Sequence, residues 1–512
     1  MKNNDRKIND RKMDEKKFRQ IGRRELLKLT PVLALGAFAI PSLQEGLLKK
    51  GLGFSDWASA RLFRSGHLAP TFDNADLTPF AKFPINGYDV DDPGVIFENW
   101  TLTVSGAVQK PGEYTLAQVQ ALPRYRQNTR HICVEGWDVI GRFGGARLSD
   151  FLNMVGADPA ARFITVNCAD DYYESLDVAT ALHPQTLLCY EMYEQPLTRP
   201  HGAPLRLNIP TKVGYKQAKY LTDLKVTHVL DRVGYWEDQG YSWFYGLCGF
   251  VAPGTAALLP RKGRVGGQKM SGAVVEIIQA KGKTADKDGK DGEEEAPVVV
   301  ARAVYEHSLV VRLCHWVNAV SLFVMVGSGL QIFRAFPSFG AKIPQKDLLH
   351  WPKAFAIGGW LGGALQWHLT FMWIYLATGV FYLGYQLFSG NYRQVLFTHR
   401  DIPGVWPMVR HYFFFGPKPP VREAYNPLQK HAYTTVIGLA VLSVLTGLAV
   451  WKPVQFSWLA WMMGGFHWAR IWHFAVMWAI LFFLLGHLVM VILHGWNNFV
   501  SMLTGWKKDP EY

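Results

Sequence analysis

Four long apolar runs in the last 200 residues constrain this chain more than any other feature. They lie at about 309–333, 358–388, 432–451 and 470–494. Each reaches the ~20 residues that an α-helix needs to cross the hydrocarbon core of a bilayer. Because a chain in lipid must satisfy its backbone polar groups internally, each run predicts a membrane-spanning helix. The sequence therefore predicts an all-α transmembrane four-helix bundle over residues 304–506, embedded in a lipid bilayer.

Charge and cysteine content narrow the class of protein further. The formal net charge is +13 and the five cysteines form no C-x-x-C pair. An excess of Lys and Arg over Asp and Glu occurs in nucleic-acid-binding proteins and in the cytoplasmic loops of membrane proteins. No soluble segment carries a compact Lys/Arg stripe with interleaved aromatic residues, so we expect no nucleic-acid partner. The cysteine spacing excludes zinc ribbons, c-type haem attachment and a disulfide framework.

Four histidines, not counting His494 at the very end of the last run, lie within the apolar runs, where an ionisable side chain is costly and is usually functional. His473 and His487 are 14 residues apart, which is about 21 Å and nearly four whole turns of one helix, so both rings face one side. If the helices alternate in direction, His315 lies at the depth of His487 and His368 at the depth of His473. Interfacial histidines that bridge helices are the alternative. Imidazole pairs at two depths suit iron and favour two haems.

The first 245 residues have a different character. Arg23 and Arg24 precede an apolar run, which predicts a twin-arginine signal or retained anchor over residues 1–45, or else an ordinary anchor with a basic flank. Short alternating runs predict strands, and 148–156 has the pattern of a short helix. Without regular strand–helix alternation or a G-x-G-x-x-G motif, 46–245 is predicted to be an α+β domain. An apolar segment and a charged linker occupy 246–303. The predicted strands are 100–106, 163–168, 205–209 and 221–229.

The histidine pattern, together with RLCHWVNAVSLFVMVGSGL at 312–330, resembles the di-haem b-type cytochrome subunit of formate dehydrogenases and Ni/Fe hydrogenases. The resemblance covers about residues 304–506. It implies two haem b groups, ligated by His315 with His487 and by His368 with His473. It also implies electron exchange with membrane quinone.

The soluble part carries RHICVEGW at 130–137, followed by a predicted Gly-rich turn and a short helix. This stretch, with FPINGYDV at 83–90, resembles the sulfite-oxidase fold of molybdenum enzymes, and within it the periplasmic protein-methionine-sulfoxide reductases. The resemblance implies a molybdopterin cofactor, with Cys133 as the catalytic residue and molybdenum ligand. Cationic neighbours, namely Arg130, His131 and Arg142, would favour the thiolate. Cys168 is expected to be structural.

The resemblance also implies which residues contact the pterin. Asn86, Tyr88 and Asp89 match the first contact segment. His201 and Arg206 match the loop that binds the phosphate. Gly214, Lys216 and Lys219 match the basic turn after that loop. Arg and Lys are suitable donors for a phosphate. Trp137 and Asp138 are expected to line the pocket because they lie close to Cys133 in the sequence. Arg130 and Arg142 are expected there for the same reason. The implied pterin contacts are Asn86, Tyr88, Asp89, His201, Arg206, Gly214, Lys216 and Lys219.

Joined, the two halves predict a membrane-bound molybdenum oxidoreductase that exchanges electrons between the quinone pool and a small oxo donor or acceptor. Reduction of an S-oxide or N-oxide is the leading hypothesis. A sulfite dehydrogenase that delivers electrons to quinone, and a non-catalytic haem electron carrier, are the alternatives. The sequence leaves homo-oligomerisation open.

The expected location is the bacterial inner membrane, with the molybdenum domain in the periplasm. Basic residues predict that the bundle begins on the cytoplasmic side. That prediction conflicts with an exported molybdenum domain unless the chain crosses the membrane once more, for which the uncharged stretch 243–260 is the candidate. An apolar loop is the other interpretation. The basic residues are Arg393, Arg400, Arg410, Lys418, Arg422, Lys430, Lys507 and Lys508.

Overall fold

A computed structural model describes the chain in ten ranges. The predicted signal over residues 1–40, the contact residues Tyr88 and Asp89, and the charged linker lie outside them. So does the uncharged stretch from residue 244 onward. The described ranges are 41–62, 66–87, 99–243, 274–278, 300–339, 352–414, 416–417, 419–420, 425–493 and 496–508.

Two sheets form the soluble part. In the first, the order is β2-β1-β10-β5-β6, and the pair β1–β10 is parallel while the others are antiparallel. The second has the order β3-β4-β7-β8, with β9 on β7. The four predicted strands are confirmed and the domain is α+β. The strands are β1 (Thr101–Gly106), β2 (Gly112–Thr115), β3 (Arg124–Ile132), β4 (Asp138–Arg147), β5 (Phe163–Cys168), β6 (Tyr173–Asp177), β7 (Leu187–Met192), β8 (Gln195–Pro196), β9 (Arg206–Asn208) and β10 (Leu221–Thr227).

The predicted Gly-rich turn after Cys133 is wrong, because Gly141 to Gly145 lie inside strand β4. A Cβ atom on Gly145 would come within 2.0 Å of the Leu188 carbonyl oxygen of the neighbouring strand. A register shift between Gly144 and Gly145 accompanies this close approach. The glycines therefore allow β4 and β7 to pack tightly, which is a known use of glycine within strands.

Both the soluble part and the membrane bundle contain helices. Four of them, α6, α7, α10 and α12, are long and apolar enough to cross a membrane, which confirms the predicted spans. The helices are α1 (Pro41–Leu62), α2 (Leu116–Gln120), α3 (Leu148–Met154), α4 (Val178–Ala181), α5 (Tyr235–Asp238), α6 (Leu309–Ala335), α7 (Leu361–Ser389), α8 (Tyr392–Val395), α9 (Ile402–Phe414), α10 (Pro427–Trp451), α11 (Ser457–Met462), α12 (Phe466–Leu493) and α13 (Trp496–Thr504).

The spanning helices form two hairpins. Helix α6 packs along α7, and α10 packs along α12, whereas the backbones of the two hairpins approach each other at few points in the described residues. Helix α1 runs across the predicted domain boundary at residue 45 and lies on α7. There the Trp373 indole donates to the Ser55 hydroxyl at 2.7 Å, so α1 is anchored to the bundle.

The soluble part docks on the end of the bundle where α6 ends and α7 and α12 begin. Phe336, which follows α6, is buried in one cluster with Cys133 and Phe143. Tyr241 contacts Trp360 edge-on, with ring centroids 5.4 Å apart. At the other end, a small sheet joins β11 (Val274–Ile278), β12 (Val300–Tyr305) and β13 (Trp506–Lys508).

Candidate functional site

Cys133 lies in a tight turn between β3 and β4. Its backbone N–H donates to the Trp137 carbonyl at 2.9 Å, and the Gly136 N–H donates to the Cys133 carbonyl at 3.0 Å. Gly136 has a φ of +111°, a conformation that favours glycine. The cysteine is 7% exposed. The turn therefore holds the thiol in a defined place beside the bundle.

Two polar side chains approach the thiol. The Asn86 amide nitrogen is 3.9 Å from the Cys133 sulfur, and a Glu135 carboxylate oxygen is 3.8 Å from it. The cationic neighbours expected from the sequence are compensated instead: Arg130 pairs with Asp138, and Arg142 pairs with Glu194. The contacts place an amide and a carboxylate beside Cys133, and cationic stabilisation of its thiolate stays a prediction.

A basic cluster forms near this turn from residues that are distant in sequence. The Arg206 guanidinium donates to the His201 carbonyl at 3.0 Å, and the Lys219 ammonium donates to the Pro200 carbonyl at 3.2 Å. A Cβ atom on Gly214 would lie 3.1 Å from the His131 ring. Four of the predicted pterin-contact residues are thus brought together, and His131 joins them.

The cluster contains a buried positive charge at Arg206. Arg206 is 5% exposed and donates to backbone carbonyls, and it forms no ion pair with a carboxylate of the described residues. Burial, and then the Arg206 charge, lower the pKa of His131 to about 3 and that of His201 to about 4. A bound anion would relieve this charge, so the cluster fits the phosphate of molybdopterin.

Lys216, another predicted pterin contact, has a different environment. Its ammonium lies 2.7 Å from Glu174 and also pairs with Glu237, and all three side chains are buried. Burial, and then the Glu237 charge, raise the pKa of Glu174 well above its usual value. One ionised carboxylate of this pair is enough to compensate the Lys216 charge, and the contact of Lys216 with the pterin stays a prediction.

The buried His201 predicts an acid-sensitive fold when the cofactor is absent. Its folded pKa of about 4 is depressed from 6.5, so the unfolded chain takes up the proton first. His201 therefore contributes stability above pH 6.5, and that contribution is lost as the pH falls towards 4. Protein prepared without molybdopterin should lose about 2 kcal/mol from this group between pH 8 and pH 5. Urea unfolding of the wild type and His201→Gln measures it, and equal pH dependence in both would contradict the assignment.

The four membrane histidines form two pairs. The ring centroids of His315 and His487 are 6.2 Å apart, and those of His368 and His473 are 6.3 Å apart. Two metal–imidazole bonds of about 2 Å, plus roughly 1.1 Å from each nitrogen to its ring centre, add to about 6.2 Å. Each pair is therefore spaced to hold one metal ion between its rings, and the pairs are those that the depth argument predicts.

Hydroxyl groups orient the rings of the pair nearer to Cys133. The His368 Nδ1 atom lies 3.1 Å from the Ser328 hydroxyl, and the His473 Nδ1 atom lies 2.9 Å from the Thr446 hydroxyl. Each hydroxyl already donates to a carbonyl of its own helix. It therefore accepts from the ring N–H, which leaves Nε2 unprotonated and able to bind a metal.

Glycines follow both hydroxyl residues. A Cβ atom on Gly329 would lie 3.4 Å from the His368 ring, and one on Gly447 would lie 3.3 Å from the His473 ring. The sequences Ser328-Gly329 and Thr446-Gly447 thus support the two rings in the same way from opposite hairpins. In the other pair, His315 Nδ1 is buried and has no hydrogen-bond partner among the described residues. Both pairs fit haem iron.

Removing one of these hydroxyl groups should weaken haem binding. Thr446→Val keeps the shape of the side chain but removes the hydroxyl acceptor, so the His473 N–H keeps only its bond to the Ser443 backbone. Loss of such an outer hydrogen bond typically costs 10–100-fold in metal affinity, so the variant should release one haem roughly 10–100 times faster to apomyoglobin. Thr378→Val is the matched control, because Thr378 makes the same bond to its own helix and contacts no histidine in the described structure. Equal rates in the two variants would contradict the role of Thr446.

The cysteine turn and the nearer histidine pair are neighbours. A Cβ atom on Gly136 would lie 2.9 Å from the guanidinium of Arg470, and Arg470 lies one helical turn before His473. A cavity of about 170 Å³ also opens between the two parts. It is lined mainly by apolar side chains, with Arg130 as its charged residue; the lining includes Phe72, Ile132, Val454, Trp461 and Phe466.

Several residues support these sites in ways that the sequence did not predict. His131, expected only as a neighbour of Cys133, belongs to the basic cluster, and Ser328, Thr446 and Arg470 surround the nearer histidine pair. The repeated sequences Ser-Gly-Leu at 328–330 and Thr-Gly-Leu at 446–448 are the one signal in the chain that relates two of them. For His131 and Arg470, the sequence carries no comparable signal.

Comparisons with known proteins agree with this division of the chain. The family model of the oxidoreductase molybdopterin binding domain matches residues 89–236, and that of the prokaryotic cytochrome b561 matches residues 306–505. A candidate protein-methionine-sulfoxide reductase subunit, YedZ1, from Azospira oryzae is 45% identical over 38% of this chain and 73% of its own length. A second such subunit from this organism is 36% identical over 38% of this chain and 93% of its own length.

A further relative is the catalytic subunit MsrP of a protein-methionine-sulfoxide reductase from Xanthomonas campestris. It is 28% identical over 32% of this chain and 57% of its own length. The two domain matches, the sheets around Cys133 and the four membrane-spanning helices lead to one conclusion. The chain belongs to the family of its Azospira oryzae relatives and is a membrane-embedded oxidoreductase that joins a molybdopterin-binding domain to a b-type cytochrome.

Proposed function

We propose that this enzyme oxidises membrane quinol and reduces a small S-oxide. One quinol supplies two electrons and two protons, which convert one S-oxide to a sulfide and water and leave one quinone. The observation that carries the proposal is the position of the Cys133 turn. It rests on the end of the bundle that holds His368 and His473, with Gly136 against Arg470.

In the soluble part, Cys133 would be the protein ligand of molybdenum, with Asn86 beside it. Molybdenum, when bound, supplies two-electron oxo transfer. Arg206 and Lys219 would bind the pterin phosphate, and His201 would line the same cluster. The remaining proposed pterin contacts are Tyr88, Asp89, Gly214 and Lys216.

In the bundle, His315 with His487 and His368 with His473 would ligate two b haems. A b haem, when bound, passes one electron at a time. The hydroxyl groups of Ser328 and Thr446 keep the ring N–H on Nδ1 and so present Nε2 to the metal. The pairs lie about 21 Å apart along α12, so together they would connect the two faces of the membrane.

The proposed location is the bacterial inner membrane, with the molybdenum domain on the periplasmic side. The basic residues Arg393, Arg400 and Lys430 lie between the end of α7 and the first turn of α10, on the side opposite to that domain, which suits a cytoplasmic face. Trp243 and Val274 lie at opposite ends of the bundle, as the predicted extra crossing between them requires. The proposed domains are 1–45, 46–245, 246–303 and 304–506.

The relatives' names and the packing around Cys133 support a small S-oxide as substrate. The relatives are described as subunits of protein-methionine-sulfoxide reductases. In this chain, however, Phe336 of the bundle is buried together with Cys133. The bundle therefore covers this side of the cysteine turn, which favours a small molecule over a residue on a folded protein.

The test follows the haem absorption of purified protein without oxygen. The haems are reduced with a quinol analogue, and dimethyl sulfoxide, free methionine sulfoxide, an oxidised protein and trimethylamine N-oxide are added in separate experiments. We expect the small S-oxides to reoxidise the haems. Reoxidation by the oxidised protein alone would contradict the small-substrate assignment.

The matched control adds the sulfide products. A sulfide has no oxygen atom to transfer and cannot accept electrons from the enzyme, so the haems should stay reduced. If no oxo donor reoxidises the haems and sulfite reduces the oxidised haems, electrons flow in the opposite direction and the enzyme is a dehydrogenase. If purified protein contains haem but no molybdenum, the chain is an electron carrier.

A further inference from the structure

Arg470 is a charged side chain that touches both halves of the enzyme. It lies in the first turns of α12, three residues before His473, so the two side chains share one helix face. Its guanidinium is 2.9 Å from the position of a Cβ atom on Gly136 and donates to the Ser338 carbonyl at 3.3 Å. The rings of Phe336 and Phe339 lie 5.7 Å from its central carbon. The arginine is therefore confined between the cysteine turn and the nearer histidine pair.

The charge of Arg470 is incompletely compensated. Asp138 is the carboxylate within electrostatic reach of its guanidinium among the described residues, but Asp138 already pairs with Arg130. Two guanidinium groups thus share one carboxylate. The Nη1 atom of Arg470 is buried and has no hydrogen-bond partner in the described part of the chain. A buried guanidinium with an unused N–H favours an additional anion.

We propose that Arg470 binds a propionate carboxylate of the haem held by His368 and His473, and that its charge raises the midpoint potential of this haem. The inference rests on the proposed haem sites. Haem b carries propionate carboxylates, and an arginine fork suits a carboxylate. Because the same guanidinium contacts the Cys133 turn, Arg470 is a positioning residue for electron transfer between the two cofactor sites.

The expected effect follows from charge. Reduction adds one electron to the haem, and a nearby cation stabilises the reduced form. Arg470→Gln should therefore lower the reduction equilibrium constant of one haem about tenfold, which corresponds to about 59 mV for a one-electron couple. Arg470→Lys keeps the charge and should stay within about twofold of the wild type. The haem at His315 and His487 is an internal reference that should not change.

The experiment is a redox titration of the full-length purified protein, followed by haem absorption. Arg334→Gln is the matched control, because Arg334 lies at the same end of the bundle but hydrogen-bonds to Gln331. A shift of one haem in Arg470→Gln, with no shift in Arg470→Lys or Arg334→Gln, supports the proposal. If Arg470→Gln loses the haem and Arg470→Lys keeps it, carboxylate binding is also supported.

Three results would overturn the proposal. The first is an unchanged potential in Arg470→Gln, the second is an equal shift of both haems, and the third is the same shift or haem loss in Arg470→Lys. Wild-type protein that contains no haem at all would instead overturn the proposed function. The two failures are therefore distinguishable in one set of titrations.

Discussion

Replacing His473 with alanine should halve the haem content of the enzyme, from the proposed two haems per chain to one. The ring of His473 faces that of His368 at 6.3 Å, and each ring is oriented by its own hydroxyl group. In the variant, His368 would be left alone of this pair to hold the haem. Because this pair lies next to the molybdenum domain, quinol-dependent reduction of an S-oxide should fall by more than about 100-fold, beyond the typical cost of losing an outer hydrogen bond.

Haem stoichiometry by the pyridine method, together with the rate of quinol oxidation, measures this effect. His431→Ala is the matched control. His431 lies near the start of α10 and packs against Phe397 at 5.3 Å, so that variant should keep both haems and most of its activity. Two haems in purified His473→Ala would show that His473 is not a ligand.

Replacing Cys133 with serine should abolish oxo transfer and leave the haems intact. A serine hydroxyl is not ionised at neutral pH and is a poor substitute for a thiolate as a metal ligand. We expect the S-oxide-dependent reoxidation of the haems to fall by more than about 100-fold. Reduction of the haems by quinol should be unchanged, since the histidine pairs are separate from the turn. Stopped-flow absorption measures both steps in one sample.

Cys189→Ser provides the control for a change of sulfur to oxygen in the same core. Cys189 is fully buried in the cluster that contains Cys133, and its thiol donates to the Glu191 carbonyl, a bond that a hydroxyl can also make. Burial raises the pKa of Cys189 to about 11, as expected of an unreactive thiol. If both variants lose reoxidation equally, the loss in Cys133→Ser reflects the fold and not ligation.

The histidine pairs were predictable from the sequence because their information is local and periodic. A spacing of 14 residues determines the face and depth of His473 and His487, and alternating helix direction then indicates the partner of each. The hydroxyl groups of Ser328 and Thr446 carry no such signal, since serine and threonine are common in membrane helices and most bond to their own backbone. Their role depends on which helices pack together, and sequence periodicity does not determine that packing.

The soluble site was less predictable for the same reason. The strands alternate in polarity and were located closely, and Cys133 was identified by resemblance. The environment of each charged side chain was not predictable, because it depends on contacts between distant segments. Arg142 pairs with Glu194 and Lys216 with Glu174, in each case between segments that are distant in the sequence, so the sequence around Cys133 did not show which cations are already paired. The glycines in β4 were predicted to form a turn. The sequence does not show the adjacent strand, whose close approach these glycines allow.

The separation of the bundle into two hairpins has a consequence for biosynthesis. Helices α6 and α7 pack on each other, as do α10 and α12, but few backbone contacts join the hairpins. Each histidine pair takes one ring from the first hairpin and one from the second. The hairpins can therefore enter the membrane as independent units during translation. Cofactor delivery then becomes the event that clamps them together, so cells starved of iron should accumulate a chain that is inserted but open to proteolysis between its halves.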